Sequence, residues 1–144
     1  TLAENIRHYN VLEEAEKEIE CVSPEELAAE IDAGTAIALD IRDTRDRIRQ
    51  GVIAGSLHAP RGMLEFLIDP NSGYHDKIFE PSNRYILYCG LGAQSALAAK
   101  TMRDMGYHNV GHLEPGLIGW EKAGKPIEFL PFEVSPEAEE IPPQ

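Results

Sequence analysis

The sequence predicts an α/β fold in which a parallel sheet is flanked by helices on both faces. Three observations predict it. Short apolar runs alternate along the chain with helix-like segments, and crossovers of that length return each strand parallel to the one before. The best-defined run, Tyr85-Ile86-Leu87-Tyr88, is apolar at every position, the pattern of a strand covered on both sides. The chain has 144 residues and is 42% hydrophobic, enough for one domain with its own core and no disulfide staples.

The elements follow in order. Residues 1–21 read as an acidic helical extension, with Leu2, Ile6, Tyr9, Leu12, Ala15 and Ile19 at roughly helical spacing. Its many glutamates predict loose docking. The folded domain is expected over residues 22–128. Ser23-Pro24-Glu25-Glu26 is a helix start: Ser23 caps, Pro24 takes the first helical position, and Glu26 completes a capping box. That helix ends at Gly34. Residues 36–41 read as a buried strand, 44–50 as a short helix stopped by Gly51, 56–59 as a brief strand closed by Pro60, and 62–68 as a helix. Residues 69–73 are a loop by composition. Tyr85–Tyr88 is a strand, 95–105 a helix ended by Gly106, 109–113 a weak strand and 116–123 a short helix. Residues 129–144, rich in Pro and Glu, are expected to be disordered.

Charge narrows the function. Asp and Glu number 25 against 13 Lys and Arg, a net charge of -12. Nucleic acid is therefore not an expected partner, because phosphate binding needs clustered cations. No run approaches the roughly 20 apolar residues of a spanning helix, so no membrane partner is expected. Cys21 and Cys89 form no C-x-x-C pair and no disulfide framework, which points to a reducing, cytoplasmic compartment. The five histidines show no metal-ligand spacing; no metal is expected, and His58, beside Pro60, is the only one singled out.

The chemistry concentrates at the end of the best strand. Tyr88 runs into Cys89-Gly90-Leu91-Gly92-Ala93-Gln94-Ser95, where a helix begins. Gly90 and Gly92 let the backbone curl so that N–H groups point at one spot, and the helix N-terminus adds its positive end. A thiolate at the centre is stabilised and made a better nucleophile.

At these residues the chain resembles the rhodanese-like sulfurtransferase family. Cys89-x-x-Gly92-x-Gln94-Ser95 is similar to that family's active-site loop, C-x-x-G-x-R-S. Leu39-Asp40-Ile41-Arg42-Asp43 resembles its L-D-V-R-[DE] strand end, and Gly51-Val52-Ile53-Ala54-Gly55-Ser56 its G-H-I-P-G-A. Glu114-Pro115-Gly116-Leu117-Ile118-Gly119-Trp120 resembles G-G-x-x-x-W. The resemblance implies a three-layer sandwich and transfer of a sulfane sulfur. Cys89 would be catalytic, becoming a persulfide held by Gly90, Leu91, Gly92, Ala93, Gln94 and Ser95. The implied partners are a small anionic donor such as thiosulfate, or a protein persulfide donor, and a thiol acceptor. No metal or organic cofactor is implied.

One departure bears on the donor. The loop arginine is Gln94 here, so a fixed positive charge at the mouth is missing. Arg61, beside Pro60, is the candidate anion contact that could replace it. Asp40 and Arg42 are read as structural support, Asp40 capping local N–H groups and Arg42 pairing with Asp46. Cys21 is read as inert. Two alternatives stand beside the enzyme. A phosphatase or arsenate reductase needs C-x5-R, and Ser95 holds the arginine position. A non-catalytic or partner-fed carrier module fits the missing charge.

Overall fold

The computed structural model describes residues 1–131. The elements run α1 (His8–Glu18), β1 (Glu20–Val22), α2 (Pro24–Ala33), β2 (Ile37–Asp40), α3 (Thr44–Gln50), β3 (Leu57–His58), α4 (Leu64–Ile68), β4 (Tyr85–Tyr88), α5 (Ala93–Asp104), β5 (Val110–Leu113) and α6 (Leu117–Lys122). The five strands form one parallel sheet in the order β1-β5-β4-β2-β3. This is the predicted α/β architecture, helices on both faces of a parallel sheet.

Local chemistry explains where the elements start and stop. Ser23 Oγ accepts from the Glu26 N–H at 3.1 Å and caps α2, while Gly34 ends it with φ at 72°. Asp43 caps α3 by accepting from the Arg45 N–H at 2.8 Å. In β4 all four residues are buried, and alternation sends them to opposite faces. Tyr85 and Leu87 join Leu39, Ile41, Leu64, Ile68, Ala98 and Met102 beneath α4 and α5. Ile86 and Tyr88 join Val22, Leu27, Leu113, Leu117 and Trp120 beneath α2 and α6.

The N-terminal segment departs from its expected reading in two ways. First, residues 20–22 are an edge strand, paired with β5 through Glu20–Gly111, Cys21–His112 and Val22–Leu113. The boundary expected at 21/22 therefore falls inside a strand; a run of three residues is too short to show a period. Second, docking is firm at one end only. Ala15 and Ile19 are buried, whereas Ile6 and Tyr9, expected on the same face, are exposed. The core reaches only the end of α1, at Ala15 in its last turn and at Ile19 just beyond it, where Ile19 joins Ala99 and Met102. At the other end of the domain, Val52 and Glu128 exchange backbone hydrogen bonds at 2.8 Å. Most of the tail expected to be disordered, residues 132–144, lies outside the described residues. Among the described residues, no helix is long and apolar enough to cross a membrane.

Candidate active site

Cys89 sits at the carboxyl end of β4, where ligands collect in parallel sheets. Its side chain is 3% exposed and opens onto a small pocket lined by Leu91, Ala93 and Gln94. The Gly92 N–H donates to Sγ at 3.1 Å. Gly92 holds φ at 104°, a conformation that side-chain-bearing residues rarely adopt. It is also the N-cap of α5, so the positive end of a twelve-residue helix faces the sulfur. The helix begins at Ala93, two residues before the expected start. Small, helix-favouring Ala93 follows the cap directly, and the glycine turn is shorter than its composition suggests.

A second helix fixes the other side of the loop. The N–H groups of Leu117 and Ile118, in the first turn of α6, donate to the carbonyls of Cys89 at 2.8 Å and Gly90 at 3.1 Å. Gly116 makes this approach possible. It has φ at 84°, and a Cβ there would lie 2.6 Å from the Gly90 carbonyl oxygen.

Behind the sulfur runs a buried polar chain. Ser95 Oγ donates to the Gly92 carbonyl at 3.1 Å and lies 3.5 Å from Cys89 Sγ. The same oxygen is 3.2 Å from Nδ1 of His112, a residue 1% exposed on β5. With the single Ser95 proton directed at Gly92, Nδ1 carries a proton and donates to Oγ. Nε2 then turns its lone pair toward Cys21 Sγ, 3.3 Å away. Burial lowers the His112 pKa below the ordinary value, which keeps the imidazole neutral. The Cys21 thiol is pushed up to about 11 by burial and by a hydrogen bond with Glu114, with Glu16 and Glu20 adding negative charge.

The remaining predicted residues separate into two places. Asp40 is fully buried and accepts from the Arg42 N–H at 2.9 Å. Arg42 does not pair with the Asp46 carboxylate. Its guanidinium grips both Asp40 oxygens at 3.0 and 2.9 Å, donates to the Gly51 carbonyl at 2.7 Å, and meets Asp46 only through the main-chain carbonyl at 3.5 Å. A buried carboxylate next door is a better partner for a buried cation than one on a solvated helix. This cluster knits β2 to the end of α3. His58, the histidine singled out, joins it through Nε2, 2.7 Å from the Arg42 carbonyl.

Arg61 and Gln94 line a common cleft with Asp43 and Asp46. The Arg61 guanidinium is paired with Glu65 at 2.7 Å, so its charge is partly neutralised. Among the described residues, no cation lines the pocket onto which Cys89 opens.

A sequence model of the rhodanese-like domain matches residues 23–123. The chain belongs to the rhodanese-like domain family. The solved structure of a Rhodopseudomonas palustris protein of unknown function, described as a possible tyrosine phosphatase, is similar at 42% identity and a TM-score of 0.82, over 85% of this chain and 95% of that one. GlpE, a thiosulfate sulfurtransferase of Actinobacillus succinogenes, is 27% identical over 74% of this chain and 88% of its own. MoeZ, a probable adenylyltransferase/sulfurtransferase of Mycobacterium tuberculosis, is 28% identical over 73% of this chain. This chain spans only 25% of MoeZ. Sulfurtransferases thus recur among the relatives of this rhodanese-like chain.

Sequence reasoning missed His112. It stands in a strand whose four residues are all buried, and a histidine at such a position signals a buried partner. The partner, Ser95, is 17 residues away in sequence, and only the packing of α5 on β5 brings the two together.

Proposed function

We propose that this rhodanese-like domain is a sulfurtransferase that carries a sulfane sulfur on Cys89. The observation that carries the reading is the 3.1 Å hydrogen bond from the Gly92 N–H to the Cys89 sulfur at the N-terminus of α5. A backbone donor and a helix dipole aimed at one sulfur stabilise negative charge there. The Cys89 thiolate attacks the outer sulfur of the donor. With thiosulfate, the S–S bond breaks and sulfite leaves with the electron pair. The outer sulfur remains as a Cys89 persulfide anion, held by the Gly92 N–H at the N-terminus of α5. An acceptor thiolate then attacks that sulfur and restores the Cys89 thiolate. No cofactor takes part.

The pocket favours a protein persulfide over thiosulfate as the donor. Its walls carry no cation, Gln94 replaces the loop arginine, and the net charge of -12 repels a dianion. The rim is apolar instead: Leu91 is 73% and Ile118 40% exposed, and both line a neighbouring cleft with Gln50 and Glu121. Such a rim suits a protein partner. Both cysteines are free thiols, in keeping with a cytoplasmic setting. The phosphatase suggested for the Rhodopseudomonas relative lacks support here, since residues 89–96 contain no arginine to grip a phosphoryl group.

Intact-mass measurement tests the reading. Incubation with thiosulfate, or with a persulfidated donor protein, should add the mass of one sulfur atom to the wild type and nothing to Cys89→Ser. Sulfur carried equally well by Cys89→Ser would overturn it. A protein donor that loads the chain faster than thiosulfate distinguishes a partner-fed carrier from a small-anion enzyme.

A further inference from the structure

We propose that Cys21, His112 and Glu114 form a binding site for a thiophilic divalent cation such as Zn2+. One ligand atom from each of these residues lies within 4.8 Å of the others. Sheet geometry brings them together. Cys21 on β1 is directly in register with His112 on β5, so the two side chains stand beside one another on one face. Glu114 follows His112 by two residues, and its N–H bonds to the Val22 carbonyl at 3.0 Å. The extended chain therefore continues past the end of β5 and returns Glu114 to the face of His112.

The separations suit coordination. Zinc bonds of about 2.3 Å to sulfur and 2.0–2.1 Å to nitrogen at a tetrahedral angle place the two donors roughly 3.5 Å apart. The Cys21 sulfur and His112 Nε2 are 3.3 Å apart. His112 is already oriented as a ligand: Nδ1–H is held by Ser95 Oγ and the Nε2 lone pair faces Cys21, the arrangement that a hydrogen-bonded outer partner imposes on ligating histidines. An open cleft lined by Cys21, Ser23, Glu26 and Glu114 supplies the route in.

The donor set and the field select the ion. Sulfur, imidazole nitrogen and carboxylate oxygen together match Zn2+ and not Mg2+ or Ca2+. Glu16 and Glu20 add negative charge around Cys21, and the charge that disfavours a bare thiolate favours a cation beside it. On binding, the Cys21 S–H bond breaks, its proton goes to solvent, and the sulfur electron pair forms the bond to the metal. His112 binds as neutral imidazole and Glu114 as carboxylate. Three protein ligands leave the fourth position to water. None of these steps uses Cys89.

Titration with Co2+, followed by absorption spectroscopy, tests the site. One equivalent should bind the wild-type protein with a thiolate-to-cobalt charge-transfer band that Zn2+ abolishes by displacement. The band should persist in Cys89→Ser and vanish in Cys21→Ser. Glu114→Gln should weaken binding by about tenfold or more. Cys21 and Glu114 are exposed, so both variants should fold, which circular dichroism checks. A wild type with no band at saturating Co2+ would overturn the proposal. So would a band that survives Cys21→Ser, one that is lost with Cys89, or an undiminished affinity in Glu114→Gln.

Discussion

At the scale of single residues, the proposed sulfur transfer turns on Cys89 and Gln94. Cys89 is the proposed sulfur carrier and is also packed in the core, lying with Leu39, Ile41 and Leu87. Cys89→Ala should therefore abolish transfer and also cost about 1 kcal/mol of stability, since it leaves the Gly92 N–H without its acceptor. For a chain of this size that is a drop of about 2 to 4 °C in a thermal melt. Cys89→Ser keeps an acceptor for Gly92 and should melt closer to the wild type while remaining inactive. Gln94→Arg should raise kcat/KM for thiosulfate by about 5- to 20-fold at low salt, roughly 1 to 2 kcal/mol. Asp43 and Asp46 share the Gln94 cleft and hold the gain below what an isolated arginine would bring. Steady-state kinetics at two ionic strengths check this, because screening must shrink the effect. An unchanged kcat/KM at low salt would show that charge at the mouth does not limit the reaction.

At the scale of elements, the loop after β4 is held between α5 and α6, and its geometry depends on Gly116. A Cβ at this position would lie 2.6 Å from the Gly90 oxygen and 2.8 Å from the Leu91 nitrogen, at a φ of +84°. Gly116→Ala should destabilise the fold by roughly 2 to 4 kcal/mol and lower transfer activity together with it, because the displaced atoms belong to the cysteine loop. Full activity in a variant that also melts normally would disprove the clamp. The opposite end of the sheet holds a pH-sensitive contact. The Tyr107 hydroxyl donates to the carbonyl of Ile68, the last residue of α4, at 2.8 Å. Its pKa is pushed up to about 12, first by burial, then by Tyr85 and Asp69. A raised folded-state pKa means that the neutral form is the one stabilised. The contribution is complete below the ordinary value of 10 and is lost as pH rises from 10 toward 12. Denaturant midpoints across that interval should fall in the wild type and fall less steeply in Tyr107→Phe, which should itself cost about 1 kcal/mol at neutral pH.

At the scale of the whole molecule, the acidic excess opposes compaction, and specific ion pairs offset part of it. Arg84 joins Glu20 on β1 at 2.9 Å and Glu30 on α2 at 2.7 Å, tying the edge strand and a helix to the start of β4. With a net charge of -12, general repulsion should outweigh the few pairs that salt weakens. The melting temperature should therefore rise between low salt and ~0.15 M monovalent salt. A fall over that range would mean that the Arg84 network, rather than net charge, governs the electrostatics.

The sequence by itself determined the α/β class, the limits of most elements and the place of Cys89 at the end of the central strand. Each of these rests on local chemistry: the all-apolar run of Tyr85–Tyr88, the caps at Ser23 and Asp43, the stops at Gly34 and Gly51, and the glycine turn after Cys89. Tertiary structure alone decided which distant residues meet. The strand at Glu20–Val22 exists because β5 offers it an edge to pair with; three residues carry no period of their own. The partner of Arg42 was settled by burial, since Asp40 and Arg42 are buried together and Asp46 meets Arg42 only through its main-chain carbonyl. The chain from Cys89 through Ser95 and His112 to Cys21 spans β4, α5, β5 and β1. Its contacts bridge 17 and 91 residues of sequence at the last two steps. No pattern of spacing reports such contacts, because they are made by strand order and register, which are properties of the assembled sheet.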